Sequence, residues 1–121
     1  MKIIDYGFFL PIEEEDTPEN PGPHLLRYEN DRGEDWYTLR RDLMQWEPEN
    51  GKFVSAILGA WALVDEEGVL TNVEYDPSRL APLRHRVIGI DTSHKDIRPG
   101  WTYRDGELRE GPPLPWMENK P

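Results

Sequence analysis

Twelve prolines punctuate this 121-residue chain, and most gather at 11–23, at 77 and 82, and at 112–121, where no long helix can form. Proline fixes φ and withholds a backbone donor, so it ends helices and is confined to the margins of sheets. The apolar run from Lys2 to Leu10 reads as a first strand that Pro11 interrupts. Residues 11–24 combine Pro11, Pro18, Pro21 and Pro23 with Glu13-Glu14-Glu15-Asp16, which predicts an extended acidic loop or arm. A short extended piece follows at Leu25 to Tyr28. Pro112, Pro113, Pro115 and Pro121 predict an extended or disordered end to the chain, with a flexible tail over 113–121.

Between these margins the pattern is that of short, turn-bounded elements. Trp36, Leu39, Leu43 and Trp46 recur at helical spacing, and the acids from Asp31 to Asp35 suit a helix N-terminus, so a short helix is predicted near 35–46, ended by Pro48. Asn50-Gly51 competes with it, as the turn of a hairpin that would pair a strand ending at Trp46 with Lys52 to Leu58. The helix is the preferred reading. Ala60 to Val64 and Val69 to Tyr75 flank the turn Asp65-Glu66-Glu67-Gly68 and form the clearest hairpin. Simple alternation there puts Val69, Thr71, Val73 and Tyr75 on one face and Leu70, Asn72 and Glu74 on the other. Asp76 to Pro82 is a turn-rich crossing. Arg86 to Asp91 is a further strand, and a last hairpin runs from Trp101 to Arg109 around Arg104-Asp105-Gly106. The expected fold is α+β, mainly antiparallel β-hairpins with one short helix, in a single compact domain over residues 1–112.

The chain has no cysteine, which excludes disulfides, thiolate catalysis and Cys-ligated zinc and leaves packing to stabilise it. Five Trp and five Tyr supply large apolar area for a core. Fourteen basic against twenty-four acidic residues give a net charge of −10, a sign that nucleic-acid phosphates repel. No apolar stretch is long enough to span a membrane, and Met1 to Asp5 does not read as a signal peptide. Neither a nucleic-acid partner nor a membrane is therefore expected.

Templates for chemistry fail one by one. Asp91, His94 and Asp96 can be drawn as a cluster, but Lys95 sits inside it and ordinary turn chemistry explains the segment. His85 lies between Arg84 and Arg86, and His24 in the acidic arm. There is no Gly-rich phosphate loop, no Gly-x-Ser-x-Gly elbow and no histidine pair at ligand spacing. Glu13 to Asp16 lack the alternating ligands and central glycine of a calcium loop. No catalytic residue, cofactor or metal is expected, and the chain is read as a non-enzyme.

The aromatic residues carry more. Trp101 and Tyr103 alternate on one face of a strand beside Gly100, either as a packed pair or as an anchor for a partner chain. Trp116 and Met117 form an apolar pair in the proline-rich tail and are a second candidate docking element. Partner-binding residues are thus expected at Trp101, Tyr103, Trp116 and Met117, with the acidic arm steering association.

Several segments occur in a familiar order: Asp35-Trp36-Tyr37, then Gly68-Val69 with a strand ending Tyr75-Asp76-Pro77-Ser78-Arg79-Leu80-Ala81-Pro82. Val87-Ile88-Gly89-Ile90-Asp91 and Pro99-Gly100-Trp101-Thr102-Tyr103 with Asp105-Gly106 follow. Together, over roughly residues 34–112, this resembles small phage tail-fibre assembly proteins and related phage tail proteins. The last segment is similar to their Gly-Trp-x-Tyr-x-Gly ending, with one extra residue before the glycine. The resemblance implies a non-catalytic protein that binds a phage tail or fibre subunit as an assembly chaperone or structural component. It would act in the bacterial host cytoplasm during assembly, with or without retention in the virion tail. The competing expectation is an acidic phage inhibitor that blocks a host nucleic-acid-binding protein by charge mimicry, through Glu13 to Asp16, Asp31, Glu34 and Asp35.

Overall fold

A computed structural model describes residues 2–12, 17–19, 21–22, 27–55 and 58–115, with backbone alone at 45–47, 52–55 and 78. Its centre is a five-stranded antiparallel sheet in the order β2-β1-β7-β5-β6, formed by Arg27–Glu29, Ile3–Ile12, His85–Ile90, Ala60–Val64 and Leu70–Glu74. One α-helix, α1 (Trp36–Leu43), and two separate hairpins complete an α+β domain: β3 (Met44–Glu47) with β4 (Lys52–Ser55), and β8 (Thr102–Arg104) with β9 (Glu107–Arg109).

The sheet buries both faces, which explains the continuous apolar runs in β5 and β7. On one side Trp61, Leu63, Val87 and Phe9 pack with Trp36 and Leu43 of α1. Gly89 lies opposite Trp61 in the ladder, and a Cβ there would fall 2.8 Å from that indole, so the missing side chain makes room for the ring. Trp36 meets Phe9 edge-on and donates its indole N–H to the Leu80 carbonyl at 3.3 Å. On the other side Ala62, Val64, Leu70, Ile88 and Ile90 are covered by Ile97 and by the C-terminal hairpin, through Trp101, Tyr103 and Leu108.

Two bulges set which residues face which layer. Between Asp5 and Phe8, β1 carries one residue more than β7, so Ile4, Tyr6 and Phe9 share the helix side despite their mixed spacing. The extra residue is accommodated at Gly7, φ +93, whose N–H donates to Asp5 Oδ1 at 2.8 Å. Asn30 pins the bulge from β2's end: its Nδ2 donates to the Tyr6 carbonyl at 2.7 Å and to Glu34 Oε1 at 3.0 Å. Its Oδ1 accepts from the backbone N–H groups of Arg32 and Glu34. In β6 the register steps from Val64↔Leu70 to Leu63↔Asn72, and this second bulge overturns the simple alternation expected there. Leu70 and Val73 consequently pack on the same face.

Other expectations need smaller corrections. β1 runs through Pro11 to Ile12, because pairing with β7 has already ended at Phe9 and the missing donor lies where only β2 is a neighbour. The helix and the Asn50-Gly51 hairpin are both present: α1 stops at Leu43, capped at its start by Asp35 accepting from Thr38 N–H, and Trp46 belongs to β3. Asp105 (φ 54) and Gly106 (φ 77) adopt the paired left-handed conformations of a two-residue hairpin turn. The chain after Gly111 begins docked: a Cβ at Gly100 would lie 2.3 Å from the Pro112 carbonyl oxygen, and one at Gly111 2.4 Å from that of Gly100. The acidic run 13–16, residues 23–26 with His24, and the tail from Trp116 lie outside the described residues.

Candidate functional site

The C-terminal hairpin joins the sheet through β6. Leu70 N–H donates to the Trp101 carbonyl, Gly100 N–H to that of Leu70 and Tyr103 N–H to that of Gly68, each at 2.8 Å. This short ladder holds Trp101 and Tyr103 against the sheet's second face, both half-buried. The two candidate anchors therefore contribute to packing and still present part of their surface. Trp116 and Met117 lie outside the described residues, so their expected role finds no structural counterpart.

One open cleft is lined by the turn end of the hairpin and another by its open end. The larger, about 770 Å³, has Phe8, Val64 and Tyr103 on its walls, with the turns at 65–68 and 104–106 at its mouth. The smaller, about 470 Å³, is lined by Trp101 between Pro99 and Pro113, with Lys95, Arg98 and Glu110 around it. Each cleft thus takes one of the two aromatic side chains.

At the base of the larger cleft Asp5, Arg86 and Tyr103 meet from three elements. Arg86 Nη1 donates to Asp5 Oδ1 at 2.8 Å and Oδ2 at 3.0 Å, and the Tyr103 hydroxyl donates to Oδ2 at 3.3 Å. Alternation with Ile3 already turns Asp5 toward the hairpin, and the bulge adds Phe8 to that side while Tyr6 faces the helix. Burial, then the charge of Asp5 and the hydrogen bond to it, raise the Tyr103 phenol above its ordinary pKa, with Arg86 opposing. Tyr103 stays a neutral donor at physiological pH. With Gly7 N–H also bound, both carboxylate oxygens of Asp5 hold the fold together, which ties the first strand to the last hairpin.

Among the other acids, some shape turns and some are exposed. Glu34 pairs with Arg32 at 2.7 Å and accepts from Asn30; the Asn30 and Arg32 hydrogen bonds hold its carboxyl below the usual carboxylate range. Asp35 caps α1, and Asp65 Oδ1 accepts from the N–H groups of Glu67 and Val69 at 2.9 Å. These side chains shape turns. Asp31, Glu66, Glu67 and Asp105 are exposed. Among the described residues no group of three or more His, Asp or Glu side chains is gathered to hold a metal ion; His94 sits in a 3-10 turn, its ring beside Tyr75. No helix among them is long and apolar enough to cross a membrane.

Sequence reasoning found the hairpin and its aromatics but missed Asp5 and Arg86. Asp5 looks like a break in an apolar run, and its partner is 81 residues away. The chain matches no family model, no curated protein and no solved structure.

Proposed function

We propose that this chain is a non-catalytic, phage tail-associated protein that binds a tail or fibre subunit, as an assembly chaperone or a structural component. The observation that carries the reading is the placement of the Pro99 to Gly106 segment: a rigidly attached aromatic hairpin between two open clefts, one lined by Tyr103 and the other by Trp101. Aromatic side chains anchored by their own packing lose little entropy on binding and make strong contact points. The carboxylate nearest the larger cleft's floor is taken up by structural hydrogen bonds, which favours recognition there over proton transfer. The resemblance of residues 34–112 to phage tail proteins supplies the biological setting, a bacterial host cytoplasm during assembly.

The test is co-expression of the full chain with the tail and fibre subunits encoded beside it, followed by co-purification. A stable complex is expected, weakened about tenfold or more by Trp101→Ala, as for an interface anchor. The variant's circular dichroism and melting curve establish that it still folds. Recovery of a host nucleic-acid-binding protein alone, with binding lost on charge reversal at Glu13, Glu14, Glu15 and Asp16, would replace this reading with charge mimicry.

A further inference from the structure

The larger cleft has apolar side chains on its walls and charged groups at its base and mouth, and its charges are unevenly used. Five carboxylates and two guanidiniums line it. Asp5 is bound by Arg86, Tyr103 and Gly7, and Asp65 by two backbone N–H groups. Arg104 lies along the turn, its Nε donating to the Glu67 carbonyl at 2.9 Å. Glu66, Glu67 and Asp105 remain exposed, on two adjacent turns, with no side-chain hydrogen bond or ion pair among the described residues. Phe8 and Tyr103, half-buried, and Val64, fully buried, line the same cleft. Elsewhere acids such as Glu34, Glu74 and Glu107 have arginine partners within 4 Å.

We infer that this cleft receives a lysine- or arginine-bearing loop of the partner protein, its cationic heads between Glu66, Glu67 and Asp105 and its aliphatic stems on Phe8 and Tyr103. The occupant follows from charge complementarity. The cleft is net negative within a chain of charge −10, so an acidic segment is repelled and a cationic one attracted. The exposed parts of Phe8 and Tyr103 on its walls favour a peptide segment over a bare cation, because long basic side chains bury their methylenes while keeping the charge in water. Arg104 and the Asp5–Arg86 pair hold the walls in place before binding, which lowers its cost. This inference rests on the proposed docking role and specifies the chemistry of the partner at that same surface.

The probe is an acetylated, amidated Gly-Lys-Lys-Gly peptide titrated into the full chain, with amide NMR shifts as readout and Gly-Glu-Glu-Gly as the opposite-charge control. The lysine peptide should shift residues 64–68 and 103–106, and the glutamate peptide should not. The triple variant Glu66→Gln, Glu67→Gln, Asp105→Asn should weaken lysine-peptide binding about tenfold, the combined effect of two exposed lysine contacts with three carboxylates. Asparagine tolerates the left-handed conformation at 105, so that turn is preserved. Asp42→Asn, Glu49→Gln, Asp91→Asn removes the same charge from other exposed positions and should change binding less than twofold. Equal weakening by both triples, or shifts spread over the acidic surface, would overturn the inference. So would spermidine binding there as tightly as the peptide. A tail-subunit complex unaffected by the cleft triple would sink this inference and leave the docking role standing. No tail-subunit binding by the parent chain, with the peptide result intact, would refute the tail-subunit role and leave a cleft that recognises cationic peptide.

Discussion

Replacing Asn30 by alanine tests the device that pins the β1 bulge beside Asp5. Asn30 is 7% exposed and makes four hydrogen bonds, two donated by Nδ2 and two accepted by Oδ1. Each is worth about 0.5–1.5 kcal/mol net, so complete loss would cost about 4 kcal/mol. Arg32 and Gly33 are exposed, and water can satisfy part of that turn. The Tyr6 carbonyl, within the bulge, is harder to rescue. A cost of about 3 kcal/mol is therefore expected, a large fraction of the 5–15 kcal/mol typical of a domain. Urea unfolding followed by tryptophan fluorescence measures it. The variant should lower the midpoint at unchanged slope and loosen the Asp5–Arg86 pair, seen as altered Asp5 carboxyl and Tyr103 ring resonances. A cost below about 1 kcal/mol would refute the view that Asn30 holds the bulge, since a single net hydrogen bond accounts for that much.

Gly100→Ala should destabilise by at least about 1–2 kcal/mol from the left-handed backbone alone, and its Cβ would press on the Pro112 carbonyl. Limited proteolysis should then cut residues 111–115 faster, and unchanged cleavage would argue against the docked strap. Glu34 has a folded pKa below its ordinary 4.5, so its contribution is present above that value and is lost as pH falls through the lower folded value. Glu34→Gln should flatten stability against pH below about 4.5 relative to the parent, measured by chemical unfolding at each pH. An identical slope in both proteins would contradict the assignment.

What was legible in the sequence was local. The β5–β6 and β8–β9 hairpins announce themselves through Glu67-Gly68 and Asp105-Gly106, where the turn residues and flanking strands agree. The segment from Asp35 to Leu58 carried two valid signals at once; the helix took Trp36–Leu43 and the Asn50-Gly51 turn took the rest. Both bulges escaped detection because each depends on distant partners: Asn30 for the first, and the packing of Leu70 and Val73 on one core for the second. The site followed the same division. Trp101 and Tyr103 stand out by type and spacing, whereas Asp5 and Arg86 acquire meaning only when the first strand pairs with β7.

The central claim is that the C-terminal hairpin and its flanking clefts form the surface that receives a tail or fibre subunit. Hydrogen exchange on the full chain, free and in the co-purified complex, tests it most directly. Slowed exchange concentrated at 64–70 and 99–111, with α1 unchanged, is the predicted result. Protection confined to α1 and β2, with the hairpin exchanging as in the free protein, would contradict it.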